Sequence, residues 1–412
     1  MPTSAIFPTN NLLDQATPNL MRKLRIGLLP KIILAIVLGI GFGNLFSFPF
    51  IRIFVTFNAL FSELLGFSIP LIILGLVTVA IADIGKGAGR MLLITVLIAY
   101  MATVLSGLFA YFAGNAFFPS LISPGTGMSD VTQSQGVQPY FSIAIPPMMS
   151  VMTALVLSFV LGLGLAGMES RGMKGMMQDF QEIITKLIAK VIIPLLPIYI
   201  FGIFLNMTHQ GEVVKMLSVF LSIIGIIFGL HIILLIFQYS VAGFIAKKNP
   251  FRMLWRMMPA YFTALGTQSS AATIPVTLKS AVKCGVSEEI AGFTIPLCAT
   301  IHLSGSTLKI TCCALALMIM QGMPYDAGLF TGFIFMLGIT MVAAPGVPGG
   351  AIMAALGVLQ SMLGFDESLQ ALMIALYITM DNFGTACNVT GDGAISLIVD
   401  KLMMRKRQAV AR

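Results

Sequence analysis

The chain has 412 residues, of which 57% are hydrophobic and only 10% charged, against roughly 25% charged residues in a soluble globular chain. That deficit excludes an ordinary water-soluble domain. The formal charge of +8 is no sign of nucleic-acid binding, because the basic residues sit in short segments between apolar stretches.

A polar lead covers residues 1–25 and runs into the first apolar stretch without a small-residue cleavage site, so that stretch reads as a retained helix. Spans are expected at roughly 31–48, 54–82, 88–116, 146–168, 181–207 and 213–246, since about 20 helical residues cross a hydrocarbon core. Pro194 and Pro197 in the fifth predict a kink. Basic clusters flank the spans: Arg22, Lys23, Arg25 and Lys31; Lys86 and Arg90; Arg171, Lys174, Lys186 and Lys190; Lys247, Lys248, Arg252 and Arg256; Lys401, Arg405, Lys406 and Arg407. By the positive-inside rule these face the cytoplasm together with both termini, and the Lys- and Arg-free connection 116–146 lies outside. The expected location is the inner (plasma) membrane, with lipid as the surrounding partner.

After residue 250 the hydrophobic pattern is interrupted three times at membrane depth: Thr267–Pro275, Ala299–Ser306 and Ala344–Ala351. Non-helical backbone inside a bilayer is tolerated only where protein buries it or a wet cavity borders it. The first and third interruptions have plausible helices on both sides, the pattern of a helical hairpin that enters and leaves by one face. Two such segments in corresponding places point to a transporter's binding site. Kinked helices packing through small residues would explain one interruption; three in one third of the chain favour function.

The stretch 366–401 reads as one final span, apolar except for Asp381, Thr385, Asn388 and Asp392. At 100° per residue these four fall within roughly 60° of one another. Intramembrane carboxylates are costly and normally face a bundle interior with partners. The five cysteines (Cys284, Cys298, Cys312, Cys313 and Cys387) form no CxxC pair and read as reduced, buried thiols. No nucleophile–base pair, metal cluster or phosphate loop is present, so an enzyme is not expected.

The run Asp381–Asn382–Phe383–Gly384–Thr385–Ala386–Cys387–Asn388–Val389–Thr390–Gly391–Asp392 resembles the final-helix motif D-x-x-R-T-x-x-N-V-x-G-D of the glutamate transporter family, the dicarboxylate/amino acid:cation symporters. Ser269–Pro275 looks like its serine-rich first hairpin tip, and Gly346–Gly350 like its second. His302–Ser306 stands in the place of its N-M-D-G-T break. The resemblance implies an all-α integral membrane fold of eight transmembrane helices plus two re-entrant helical hairpins, an inverted-repeat elevator transporter assembled as a homotrimer. Residues 1–82 and 117–207 would form the scaffold (spans 1–2 and 4–5). Span 3 (83–116) and residues 208–403 would form the transport domain, and 404–412 a cytoplasmic tail. By the same resemblance Asp381 would hold a substrate ammonium group. Thr385, Asn388 and the tips at Ser269, Ser270, Val347 and Gly349 would complete the pocket, and Asn388, Asp392, Tyr100 and Thr103 would serve sodium.

The departures matter. The motif arginine is Gly384, the arginine some members carry at the first tip is Gln268, and the break has lost an Asn and an Asp to His302 and Ser304. Val104 replaces a hydroxyl residue on the third span. Hard cations want oxygen ligands and charge, so at least one sodium site is expected to be missing. Lys309, by contrast, is the one basic residue deep inside a span, too far from either end to snorkel out. It is expected to pair with Asp381 or Asp392. Lys309, His302 and Ser304 are the coupling candidates, with the ion left open between Na+ and H+; no other cofactor is expected. The expected function is secondary active symport of a small amino acid or dicarboxylate. The alternative is an uncoupled, channel-like anion or solute permease on the same fold.

Overall fold

The structure, a computed structural model, describes residues 28–84, 89–122, 137–168, 171–211, 213–344 and 349–410. The lead over 1–25, Lys86 and the second tip with Val347 lie outside them. The described residues are helical nearly throughout. Backbone groups within lipid must find partners inside their own segment, which helices provide.

In chain order the helices are α1 (Leu28–Phe42), α2 (Phe48–Ile84), α3 (Gly89–Phe117), α4 (Val151–Gly167), α5 (Arg171–Leu187), α6 (Ile193–His209) and α7 (Val213–Ala246). They continue with α8 (Pro250–Thr267), α9 (Ser270–Lys283), α10 (Glu288–Ile301), α11 (Ser304–Met320), α12 (Ala327–Val342), α13 (Gly350–Leu363), α14 (Glu367–Thr379) and α15 (Asp381–Val410). Among the described residues five helical stretches are long and apolar enough to cross a membrane: Phe48–Ala82, Met91–Ser120, Gly172–His209, Phe220–Ala246 and Glu288–Met320.

Two expected boundaries change. The fifth span is α5 continued through a π-helical turn, Ile188–Ile192, into α6. Pro194 has no N–H to offer the preceding turn, and the wider turn absorbs that loss. The single final span is two helices, α14 and α15, interrupted at Met380.

The α8–α9 pair shows why a short polar stretch reverses the chain. Gln268 ends α8 in the left-handed conformation (φ 53°), and the Ser269 side chain accepts the N–H of Ala272 to start α9. At the other end Lys248 Nζ donates to the carbonyls of Cys284 (2.9 Å) and Gly285 (3.3 Å). Arg256 donates to that of Lys283 at 2.6 Å. Basic side chains thus cap the carbonyl end of α9, where the helix dipole favours them. The α12 and α13 helices pack together likewise, with Gly349 preceding α13 at φ 75°.

The apolar interior falls into two main clusters. One runs from α2 and α6 through α11 to α14; the other joins α7 to α10 with α15. The α11 helix, every residue of which is buried, belongs to the first, and α15 reaches both, through Cys387 and through Ala386 and Val389. Cys284, Cys298, Cys312, Cys313 and Cys387 are all buried free thiols.

Candidate functional site

Four helix N-termini converge on one small cavity of about 30 Å³. Its walls include Ser270 at the start of α9, Ser306 at the start of α11, Ala351 at the start of α13 and Asp381 at the start of α15. Gln268, Tyr377, Thr385 and Asn388 complete the polar lining. Helix N-termini carry unpaired N–H groups and the positive end of the dipole, so this wall favours an anionic group, with one carboxylate set among them.

That carboxylate, Asp381, is 4% exposed and held on both oxygens. Lys309 Nζ lies 3.3 Å from Oδ1, and the backbone N–H of Gly349 donates to Oδ2 at 2.8 Å. The interruption at Met380 explains how a lysine survives here. The carbonyls of Tyr377 and Met380, which also take the backbone N–H groups of Met380, Phe383 and Gly384, turn toward it and accept from Lys309 Nζ at 3.3 and 3.4 Å. The ammonium also lies 3.3 Å from the centre of the Tyr377 ring, a cation–π contact. Space comes from Gly384, where a Cβ would stand 2.9 Å from Lys309 Nζ. Lys309 therefore pairs with Asp381 and not Asp392, and it reaches the carboxylate from behind, outside the cavity lining.

The break between α10 and α11 is stitched from α15. Asn388 Oδ1 accepts the N–H groups of Gly305 (2.8 Å) and Ser306 (3.3 Å), two of the unpaired donors at the start of α11. Its Nδ2 donates to Ser306 Oγ at 3.0 Å, as does the Tyr377 hydroxyl. One turn further along α15, Asp392 Oδ1 lies 2.8 Å from His302 Nδ1, both groups fully buried. Thr385 donates to the Asp381 carbonyl at 2.9 Å and presents its remaining surface to the cavity.

From the other side α7 and α3 brace the break. Gln238 Nε2 donates to Ser304 Oγ (3.1 Å), and His231 Nε2 lies 3.0 Å from the Gly305 carbonyl. Ser106 Oγ bridges the carbonyls of Thr103 and Ser304 at 2.7 and 2.8 Å. Thr103 is thereby tied to the break, whereas the Tyr100 hydroxyl donates to Phe335 on α12. Asn388 Oδ1 and one oxygen of Asp392, Oδ1, both expected to serve sodium, are engaged by backbone N–H groups and by His302 respectively.

Of the site residues expected from sequence, Ser269, Ser270, Gly349, Asp381, Thr385, Asn388, Asp392, His302, Ser304 and Lys309 all lie on or beside this constellation. Ser306, Tyr377, Ser106, His231 and Gln238 were not anticipated in it. A signal existed for two of them: His231 and Gln238 stand two helical turns apart on an apolar span.

The sequence matches the profile of the sodium:dicarboxylate symporter family over residues 28–402. The serine/threonine transporter SstT of Acinetobacter baumannii is 28% identical over 402 residues, covering 93% of this chain and 98% of that protein. The serine/threonine transporter SstT of Acinetobacter baylyi is 28% identical over 398 residues, covering 92% and 98%. The chain thus belongs to the sodium:dicarboxylate symporter family, and it is a multi-pass membrane protein that carries small amino acids or dicarboxylates together with a cation, not an enzyme.

Proposed function

We propose that the solute is a small neutral amino acid of the serine/threonine class. One observation carries this reading: among the described residues the cavity offers a single carboxylate, Asp381, among helix N-termini, hydroxyls and amides, and no cation lines it. The ammonium of the solute goes to Asp381, and its carboxylate goes to the N-termini of α9 and α13. A side-chain hydroxyl meets Thr385, Asn388 or Ser306. A second carboxylate would find no partner, because position 384 is glycine and the charge of Lys309 is spent behind Asp381. The names of the Acinetobacter relatives agree with this class.

The mechanism we propose is an elevator in a homotrimer of eight-span subunits. The α8–α9 and α12–α13 pairs are re-entrant hairpins whose tips close over the solute. Residues 1–82 and 117–207 are the scaffold; span 3 and residues 208–403 are the moving domain; both termini are cytoplasmic. The second tip, anchored by Gly349 on Asp381, is the gate. The gate must open to admit the solute, because a cavity of about 30 Å³ holds water molecules rather than an amino acid. Coupling runs through the break, where Asn388, Asp392 and Thr103 gather oxygen atoms.

Counterflow in proteoliposomes tests this reading. Serine, threonine and alanine are expected to exchange with radiolabelled serine, and glutamate, aspartate and succinate are not. Uptake should respond to an imposed sodium or proton gradient. Equal counterflow by aspartate, or uptake indifferent to both gradients, would overturn it; the latter would favour an uncoupled permease.

A further inference from the structure

Building on Asp381 as the ligand of the solute's ammonium, we propose that Lys309 is the carrier's own counter-cation, neutralising Asp381 while no solute is bound. A carboxylate this deeply buried needs a positive partner in every state that crosses the membrane. With solute bound, the solute's ammonium is available. Without it, Lys309 is the partner, at 3.3 Å. Asn388 gives its donors to Ser306, and His302 belongs to Asp392.

The geometry divides the two oxygens of Asp381 between a fixed and a movable partner. Oδ1 faces Lys309, which is 0% exposed and immobilised by the carbonyls of Tyr377 and Met380 and by the Tyr377 ring. Oδ2 accepts the N–H of Gly349, just before α13, and Asp381 lines the cavity. An arriving ammonium therefore approaches Asp381 from the side of Oδ2 and leaves Lys309 in place. At Asp381 itself the charge sum is then the same in both half-cycles, the coupled cation being held apart from it. Empty, Asp381 and Lys309 cancel; loaded, a zwitterion adds nothing there. Lys309 thereby acts as a positioning residue without touching the solute. Gly384 is part of the device, since any Cβ there meets the Lys309 ammonium.

The test separates the empty from the loaded carrier. Lys309→Met and Lys309→Gln are purified, checked for native elution and reconstituted, with serine as the probe. Without Lys309 the empty carrier holds an unpaired carboxylate, while the loaded one retains the ammonium of serine. The expected result is serine–serine exchange that persists while net uptake falls, their ratio rising at least tenfold over wild type. Serine should also bind several-fold more tightly, since Asp381 no longer shares its charge. A purely packing role would lower exchange, net uptake and affinity together, and that result, or an unchanged ratio, overturns the proposal.

A wild-type arm does not depend on the variants folding. Net serine uptake into vesicles with N-methylglucamine as the only lumenal cation should match uptake into potassium-loaded vesicles. A strict need for a lumenal inorganic cation would show that the empty carrier is neutralised from outside and overturn the proposal. If wild-type protein exchanges no amino acid at all, it is the assignment of the pocket that fails instead.

Discussion

Gly384 and Lys309 exclude one another's side chains: a Cβ on Gly384 would stand 2.9 Å from Lys309 Nζ and 3.2 Å from Cε. Position 384 is where the resembling family carries arginine. The positive charge beside Asp381 has therefore moved from α15 to α11, from the wall of the pocket to the space behind it.

Gly384→Arg alone forces a second cation against the first in a buried site, and Gly384→Ala overpacks it by about 1–3 kcal/mol. The arginine variant should lose serine uptake and show a lower Tm than the alanine variant. Combining Gly384→Arg with Lys309→Met removes both the clash and the like charge. That double variant should recover Tm and gain aspartate binding, read by thermal shift in detergent. A double variant no more stable than Gly384→Arg would refute the mutual exclusion.

The turn at Gln268–Ser269 and the α10–α11 break at His302–Leu303 were legible in the sequence because small and hydroxyl residues interrupt the apolar pattern there, although most of the two stretches, Ser270–Pro275 and Ser304–Ser306 among them, is helical; the second tip lies outside the described residues. The interruption at Met380 was not legible, since Thr379–Met380 contains no Gly or Pro. Lys309, from outside the segment, adds its ammonium to the carbonyls of Tyr377 and Met380 at this point. Helical periodicity put Asp381 and Asp392 on one face. It could not say that one would meet Lys309 and the other His302, because those partners sit on opposite sides of the break in α10–α11.

His302→Leu leaves Asp392 buried without its partner, a loss of about 3–5 kcal/mol. The expected outcome is a large fall in Tm and no uptake. His302→Asn, which keeps a side-chain amide there, should be milder. Adding Ser304→Asp to His302→Asn restores the polar set of the resembling family at this break, and sodium dependence of serine uptake should steepen. Equal Tm values for the leucine variant and wild type would contradict the role assigned to the pair.

Gly349 adopts φ 75°, and the nearest atoms to an added Cβ are Ile378 Cδ1 at 3.9 Å and Leu28 Cδ2 at 4.0 Å. Gly349→Ala therefore meets no clash, and its cost is the left-handed backbone alone, about 1–2 kcal/mol. If that strain falls on the closed tip, KM for serine should rise about 5- to 30-fold with little change in Tm. An unchanged KM would mean that closure does not use this conformation.

Gly391 lets α15 pass close to α7 and the break: a Cβ there would lie 2.6 Å from Gln238 Oε1 and 2.7 Å from His302 Cε1. Gly391→Ala should cost about 1–3 kcal/mol by overpacking. Gln238→Ala should return part of it in a double-mutant cycle. Strict additivity of the two Tm shifts would rule out the contact as the cause.

Binding to the purified wild-type protein tests the central claim most directly: a pocket built on Asp381 that requires an ammonium and rejects a second carboxylate. Serine, its deaminated counterpart glycerate, and aspartate are compared by calorimetric titration under one salt condition. Serine is expected to bind, and glycerate and aspartate to give no measurable heat. Aspartate binding as tight as serine, or glycerate binding without an amine, would contradict the account.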